Sequence, residues 1–335
     1  MEHVSLGASG LRVSRLGYGC MGLSSHPRDD EAARAVLRHA LELGVTFFDT
    51  ASRYGGGHNE RLLGQVLAAS ADDIVLATKL GAGSDSARGR KVNGRPKAVR
   101  TACEASLRRL RVEVIDLYYL CRTDAAVPIE ETIGAMADLV AAGKVRAVGL
   151  TEAAPETIRR AHSVHPVAAL QAELSLCARN AESGPLQVCR ELGITFVAYR
   201  PLGVGWLAGS ADPGRSEPGC AHLTGHQGLQ LVTQLRELAT LLDCTPGQLA
   251  LAWVLARGTD VVPIPGTRRL GHLEENVAAT HSEPGPVQLR ALDTVFAHSR
   301  RDEGAAHELL ETPELRPETR QHSGTARQRR ERTPG

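Results

Sequence analysis

Three side chains in the first quarter of the chain are of types that could act together on a carbonyl group. Asp49 ends the run Thr46-Phe47-Phe48-Asp49, Lys79 ends Ala77-Thr78-Lys79, and Tyr54 stands between them in Ser52-Arg53-Tyr54-Gly55. A phenol with an ordinary pKa of about 10 is a poor proton donor at neutral pH, but a neighbouring ammonium favours the phenolate and lowers that pKa. A carboxylate beside the lysine would keep it charged and in place. Such a set would protonate a carbonyl oxygen as hydride arrives at the carbon. The same residues also fit an ordinary Asp49–Lys79 ion pair with Tyr54 packed in a core, and spacing alone leaves both readings open.

For the three to meet, Asp49 and Lys79 must close neighbouring strands at one end of a sheet. Eight short apolar runs read as strands, at 16–20, 45–48, 74–77, 115–120, 145–150, 168–171, 195–199 and 261–264. Helical patterns lie between them at 30–43, 60–67, 96–109, 128–142, 155–162, 185–192 and 246–257. Glycine follows several of these, at Gly44, Gly143, Gly193 and Gly258, where a helix C-cap takes a residue free to adopt positive φ. Strands alternating with helices imply parallel pairing through right-handed crossovers. Eight repeats predict an α/β chain closed into a (β/α)8 TIM barrel, whose chemistry belongs to the C-terminal ends of the strands. Gly17-Tyr18-Gly19-Cys20-Met21-Gly22 does not match the Gly-x-Gly-x-x-Gly spacing, so a nicotinamide cofactor is not expected to be held in Rossmann fashion.

Residues 1–299 read as this single barrel. From about residue 300 the pattern dissolves into a polar tail to residue 335, with Arg320, Arg327, Arg329, Arg330 and Arg332, which reads as disordered. The Gly/Pro-rich stretch 203–228 reads as either a functional lid or a disordered segment.

Composition excludes several classes. Of 335 residues, 42% are hydrophobic and 23% charged, which rules out a disordered or collagen-like chain. Lys plus Arg is 39 and Asp plus Glu is 38, so no overall field draws a polyanion and nucleic acid is not an expected partner. Seven scattered cysteines with no Cys-x-x-Cys pair suggest neither a disulfide framework nor a metal site. With no apolar leader and no membrane-length run, the expectation is a reduced, cytoplasmic protein with a small-molecule substrate and no membrane partner. Aromatic residues are 3% of the chain, which argues against an aromatic-lined pocket.

From about Leu6 to Ala297 the sequence resembles the aldo-keto reductase superfamily. The motifs that carry the likeness are Phe48-Asp49-Thr50-Ala51 through Tyr54-Gly55 and Asn59-Glu60; Thr78-Lys79; Ile115-Asp116-Leu117-Tyr118-Tyr119-Leu120; Gly143-Lys144-Val145-Arg146; Tyr199 with Pro201-Leu202-Gly203; and Ile264-Pro265-Gly266-Thr267 to Leu273-Glu274-Glu275-Asn276. The resemblance implies a (β/α)8 barrel, NADPH as cofactor and reduction of aldehydes or ketones. It implies Tyr54 as general acid, with Asp49 and Lys79 as its pKa-lowering partners. Gln171, Thr151 and Glu152 fall where the nicotinamide carboxamide is held, and Tyr199 where an aromatic stacks on its ring. Arg200, Pro201, Leu202 and Gly203 follow along the cofactor. Gly266, Thr267, Arg268, Arg269, Glu275 and Asn276 lie at the adenosine end, where guanidinium chemistry suits a 2′-phosphate.

Departures from the family pattern are as informative. Cys121 stands where a catalytic His would hydrogen-bond the substrate carbonyl, and a thiol is a weak donor. It reads as a pocket-shaping residue in a reductase of unusual substrates, as a mark of lost catalysis, or as a nucleophile, the last without a neighbouring His in support. Arg200 stands where Ser is usual and Val204 where Arg is frequent, while Leu174 and Cys177 take places often aromatic. The expected activity is hydride transfer to a carbonyl, imine or conjugated alkene of a small to medium polar metabolite, in a specialised bacterial pathway. The alternatives are a cofactor-binding barrel with little turnover, or a dehydratase or isomerase using Tyr54 without redox chemistry.

Overall fold

The computed structural model describes residues 1–80, 93–209 and 225–297. The tail expected at 300–335 and the central part of the 203–228 stretch lie outside the described residues.

A short antiparallel hairpin, β1 (His3–Ser5) and β2 (Arg12–Ser14), precedes eight parallel strands. These are β3 (Tyr18–Gly19), β4 (Phe47–Asp49), β5 (Val75–Leu80), β6 (Ile115–Leu120), β7 (Val145–Thr151), β8 (Val167–Glu173), β9 (Thr195–Tyr199) and β10 (Val261–Pro263), each hydrogen-bonded to the next in chain order. The first and last strands close on one another through Gly17 N to Pro263 O at 2.9 Å and Gly19 N to Pro265 O at 3.1 Å. The result is the expected (β/α)8 architecture. All eight expected strands are present, although the first is shorter than its apolar run.

Helices α1 (Asp30–Glu42), α2 (His58–Val66), α3 (Pro96–Leu110), α4 (Ile129–Ala141), α5 (Pro155–Val164) and α6 (Pro185–Leu192) each follow one strand. Two more, α7 (Gly225–Leu241) and α8 (Pro246–Leu255), follow β9, and α9 (Leu270–Ala278) and α10 (Pro286–Ala297) follow β10. Proline opens α3, α5, α6 and α8, where its missing N–H is no loss. At α8 a reciprocal capping box of Thr245 and Gln248 fixes the start. No single helix among the described residues is long and apolar enough to cross a membrane.

Strand side chains alternate between two cores. Phe48, Leu76, Tyr118, Val148, Leu170 and Phe196 face the helices. Phe47, Val75, Ala77, Leu117, Tyr119, Ala147, Ala169, Val197 and Val262 fill the barrel interior, together with Val4, Leu6 and Val13 of the hairpin region. The hairpin thus plugs the N-terminal end of the barrel, pinned by Gly7 N donating to Thr195 Oγ1 at 2.7 Å and by Thr195 Oγ1 donating to Ser5 O at 3.0 Å. Beside it the buried Arg15 guanidinium donates to the carbonyls of Leu255, Gly258 and Val261, satisfying the C-terminal end of α8 and the start of β10.

One interior position admits glycine alone. A Cβ on Gly149 would lie 2.4 Å from Cδ1 of Tyr119, its neighbour across the β6–β7 ladder. Gly149→Ala is expected to cost about 1–3 kcal/mol by overpacking, read as a lowered urea midpoint at unchanged m-value.

Candidate active site

Because side chains alternate, the residues at the C-terminal ends of the strands continue the inward-facing set. Asp49 follows Phe47 on β4, Lys79 follows Ala77 on β5, Thr151 follows Gly149 on β7, Gln171 follows Ala169 on β8, and Tyr199 follows Val197 on β9. The register sets Lys79 opposite Tyr119 and Thr151 opposite Gln171. The strand period alone therefore gathers these polar groups above the hydrophobic plug.

Asp49 and Lys79, each 3% exposed, form a buried ion pair through Oδ1 and Nζ. Gln171 Nε2 donates to the other carboxylate oxygen of Asp49 at 2.8 Å, and Lys79 Nζ also donates to Thr50 O at 2.9 Å. Burial pulls the Lys79 pKa down, but Asp49 and Tyr54 more than offset it, so its pKa is raised and the ammonium persists at neutral pH. Its Nζ lies 5.6 Å from the centroid of the Tyr54 ring.

The expected lowering of the Tyr54 pKa is corrected by the structure. Burial pushes it up, Lys79 pulls it down, and Asp49 pushes it up again, leaving Tyr54 above its ordinary value. A phenolate in a site of low dielectric loses more hydration than one cation screened by a carboxylate restores. Tyr54 is therefore held as a neutral phenol, and Lys79 is placed to stabilise phenolate as it forms.

Tyr54 sits on a turn built for the purpose. Its N–H donates to Ala51 O at 3.0 Å, and Gly55, Gly56 and Gly57 then take φ of 58°, 63° and 82° before α2 begins, a run that side chains with Cβ rarely adopt. Asn59 and Glu60 in the first turn of α2 lock it down. Thr50 Oγ1 donates to Asn59 Oδ1 at 2.6 Å, Asn59 Nδ2 donates to Cys20 O and Ser24 Oγ at 2.8 Å, and Glu60 accepts from Thr78 Oγ1 at 2.7 Å and Arg109 Nε at 2.5 Å.

Above this cluster opens a cavity of about 1110 Å³. Its wall includes Tyr54, Cys121, Thr151, Glu152, Gln171, Tyr199, Arg200, Pro201, Leu202, Gly266, Thr267, Arg268, Arg269, Glu275 and Asn276. The volume exceeds the roughly 300–1,000 Å³ usual for one drug-sized ligand, leaving room for a long cofactor and a substrate together.

Residues 15–295 match the aldo/keto reductase family. The chain belongs to that family. It is 44% identical over 305 residues to a probable aldo-keto reductase of Glycine max, covering 87% of this chain and 88% of that protein. The glycerol dehydrogenase of Gluconobacter oxydans superposes with TM-score 0.80 at 27% identity over 90% of this chain and 96% of its own. An aldo-keto reductase of Bacillus halodurans, in its holo form, gives 0.76 at 29% identity over 91% and 99%. Membership makes this an oxidoreductase that couples a nicotinamide cofactor to carbonyl reduction.

This aldo/keto reductase departs from the sequence expectations in detail. Gly203 does not line the cavity; it is buried and donates to Arg200 O at 2.9 Å, closing the turn after β9. The Thr151 hydroxyl donates to Cys121 O, so it also fixes the backbone at the Cys121 position. Glu152 accepts from Glu173 N at 3.0 Å, and Arg200 stands 3.9 Å from Glu173 and 5.9 Å over the Tyr199 ring. Burial first, and then the Glu152 carboxylate, push the Tyr199 pKa up, which keeps it a neutral ring. Cys121 is half-buried on the wall, with no group of three His, Cys, Asp or Glu among the described residues able to hold a metal.

Arg53, Arg122, Glu173, Gln248 and His272 also line the cavity and were not anticipated. Glu173 was findable by continuing the inward alternation of β8 one step beyond Gln171. Gln248 and His272 come from helices rather than strand ends, and no local pattern marks them.

Proposed function

We propose that this reductase uses NADPH and acts on the carbonyl, imine or conjugated alkene of a small to medium polar compound. The observation that carries the reading is the buried Asp49–Lys79 pair beside Tyr54, in a cavity that Arg268 and Arg269 also line. The fit to NADPH rests on that donor set: two exposed guanidiniums suit a 2′-phosphate, and the half-exposed Tyr199 ring faces the same cavity nearer the catalytic cluster. Gln171, Thr151 and Glu152 would hold the nicotinamide end, Tyr199 would flank its ring, and Arg268, Arg269, Glu275 and Asn276 would hold the adenosine end. A dihydronicotinamide bound there would supply a hydride, that is, one proton with two electrons.

Tyr54 supplies the balancing proton to the substrate oxygen and is left as phenolate. Lys79 stabilises that phenolate, and Asp49, held by Gln171, keeps Lys79 in line. Cys121 contributes a small neutral wall and only a weak donor. Among the described residues the cysteines form no disulfide and most are buried, which suits a reduced, cytoplasmic setting.

The test is a fluorescence titration with NADPH, run on the wild type and on Cys121→His. Micromolar or tighter binding is expected from both, with reduction of generic aldehydes raised by about 10²-fold in Cys121→His, the scale of one well-placed donor. Absence of NADPH binding by either sinks the redox reading. Arg268→Ala with Arg269→Ala is expected to weaken NADPH by roughly 10–100-fold and NADH much less, since one charge-assisted contact is worth about 1.5–3 kcal/mol. Equal loss for both cofactors would remove the 2′-phosphate assignment.

A further inference from the structure

The cationic side chains around the cavity fall into two groups once their partners are assigned. Lys79 is matched by Asp49, and Arg200 faces Glu173. Arg268 and Arg269 stand at the end assigned above to the adenosine phosphate. That leaves Arg53 and Arg122, the sequence neighbours of Tyr54 and Cys121, which would touch the substrate. Arg53 directly precedes Tyr54 and Arg122 directly follows Cys121; both are exposed on the cavity wall. Neither guanidinium makes an ion pair or hydrogen bond with another described residue, although the backbone carbonyl of Arg53 accepts from Gly56 N at 3.2 Å. The guanidinium carbon of Arg53 lies 5.3 Å from the centre of the Tyr54 ring.

Two guanidiniums on one cavity wall without a side-chain partner among the described residues raise the local potential, which an anion would lower. A substrate whose carbonyl oxygen meets the Tyr54 hydroxyl lies between Tyr54 and Cys121. Its remaining atoms then extend into the cavity that both arginines line. Guanidinium groups present a rigid fork that matches an oxyacid anion and rejects an uncharged isostere.

We propose that Arg53 and Arg122 form an anion subsite, and that the substrates of this reductase are carbonyl compounds bearing an oxyacid group, a carboxylate or a phosphate ester, a few carbons from the reacting carbon. The proposal rests on the reductase reading for the word substrate, but the subsite itself is testable without turnover. Arg53 retains its stacking on Tyr54 when the anion binds, so one residue both orients the proton donor and receives the charge.

The experiment has two parts. In the first, kcat/KM is measured for succinic semialdehyde against its methyl ester, and for glyceraldehyde 3-phosphate against glyceraldehyde. The acid is expected to be favoured at least about tenfold within one pair or both, and the pair with the larger ratio says whether carboxylate or phosphate is the better group. In Arg53→Met and in Arg122→Met that ratio falls towards one, and Arg122→Lys restores part of it. Equal loss on the charged and uncharged members would mean that the arginines act only through Tyr54, and would overturn the subsite.

In the second part, succinate and succinamide are titrated into the NADPH-loaded protein by calorimetry. Succinate binding at least about tenfold tighter, weakened by salt and by Arg53→Met or Arg122→Met, is the expected result; indistinguishable binding of the two overturns the proposal. If no aldehyde is reduced yet succinate binds in the arginine-dependent way, the subsite stands and the reductase reading fails. If the methyl ester is reduced as well as the acid and succinate shows no preference, the reverse holds.

Discussion

Tyr54→Phe is expected to lower kcat for carbonyl reduction by roughly 10²–10⁴-fold, the usual contribution of a positioned general acid, with NADPH affinity changed by less than about threefold. The substitution removes one oxygen from a half-exposed ring and leaves the Asp49–Lys79 pair untouched. Stopped-flow reduction and a fluorescence titration separate the two quantities. A pH profile adds a second reading. Because burial raises the Tyr54 pKa above its ordinary 10.0, the donor stays protonated across the neutral range. The rate of reduction should be independent of Tyr54 ionisation there, with its loss confined to the alkaline side of pH 10. A basic limb near neutrality that vanishes in Tyr54→Phe would show instead that Lys79 dominates over burial. Unchanged turnover in Tyr54→Phe would remove the proposed mechanism altogether.

The second large effect is on stability. Lys79→Met leaves Asp49 buried with Gln171 as its remaining side-chain donor, and breaking a buried pair by removing one partner costs about 3–5 kcal/mol. Urea unfolding of the wild type, Lys79→Met, Asp49→Leu and the double variant gives the coupling. The double variant should be more stable than the sum of the single losses, because it no longer strands a charge. The pH dependence has a definite sign. The pKa of Lys79 is raised in the folded protein from an ordinary 10.5, so its share of stability is complete below that value and is lost as pH rises through the folded pKa. The wild type should therefore lose stability in strong alkali by an increment that Lys79→Met does not show.

What the sequence disclosed of the fold followed from local regularities. Eight contiguous apolar runs marked the strands because parallel barrel strands are buried on both faces. Prolines at helix starts marked α3, α5, α6 and α8. Helices α7, α9 and α10 escaped; in α7, Gly225 and Gly228 sit in the first turn, where composition favours a turn. Within the site, Asp49 and Lys79 were legible as strand-end residues, and inward parity alone would have added Glu173. The contacts that decide the chemistry were not legible. Gln171 reaches Asp49 across 122 residues, and Thr151 reaches the carbonyl of Cys121 across 30. The direction of the Tyr54 pKa depends on how deeply the barrel mouth buries the phenol, and that depth belongs to no single segment.

The plug at the bottom of the barrel also bears on how the chain is made. Gly7 is hydrogen-bonded to a residue 188 positions later, and Arg15 to one 246 positions later. On a ribosome moving at roughly 5–20 residues per second, the first apolar side chains would wait on the order of ten to fifty seconds for those partners to be synthesised. Val4, Leu6 and Val13 spend that interval without the interior they later fill. The hairpin is therefore among the last elements able to dock although it is translated before every barrel strand that receives it.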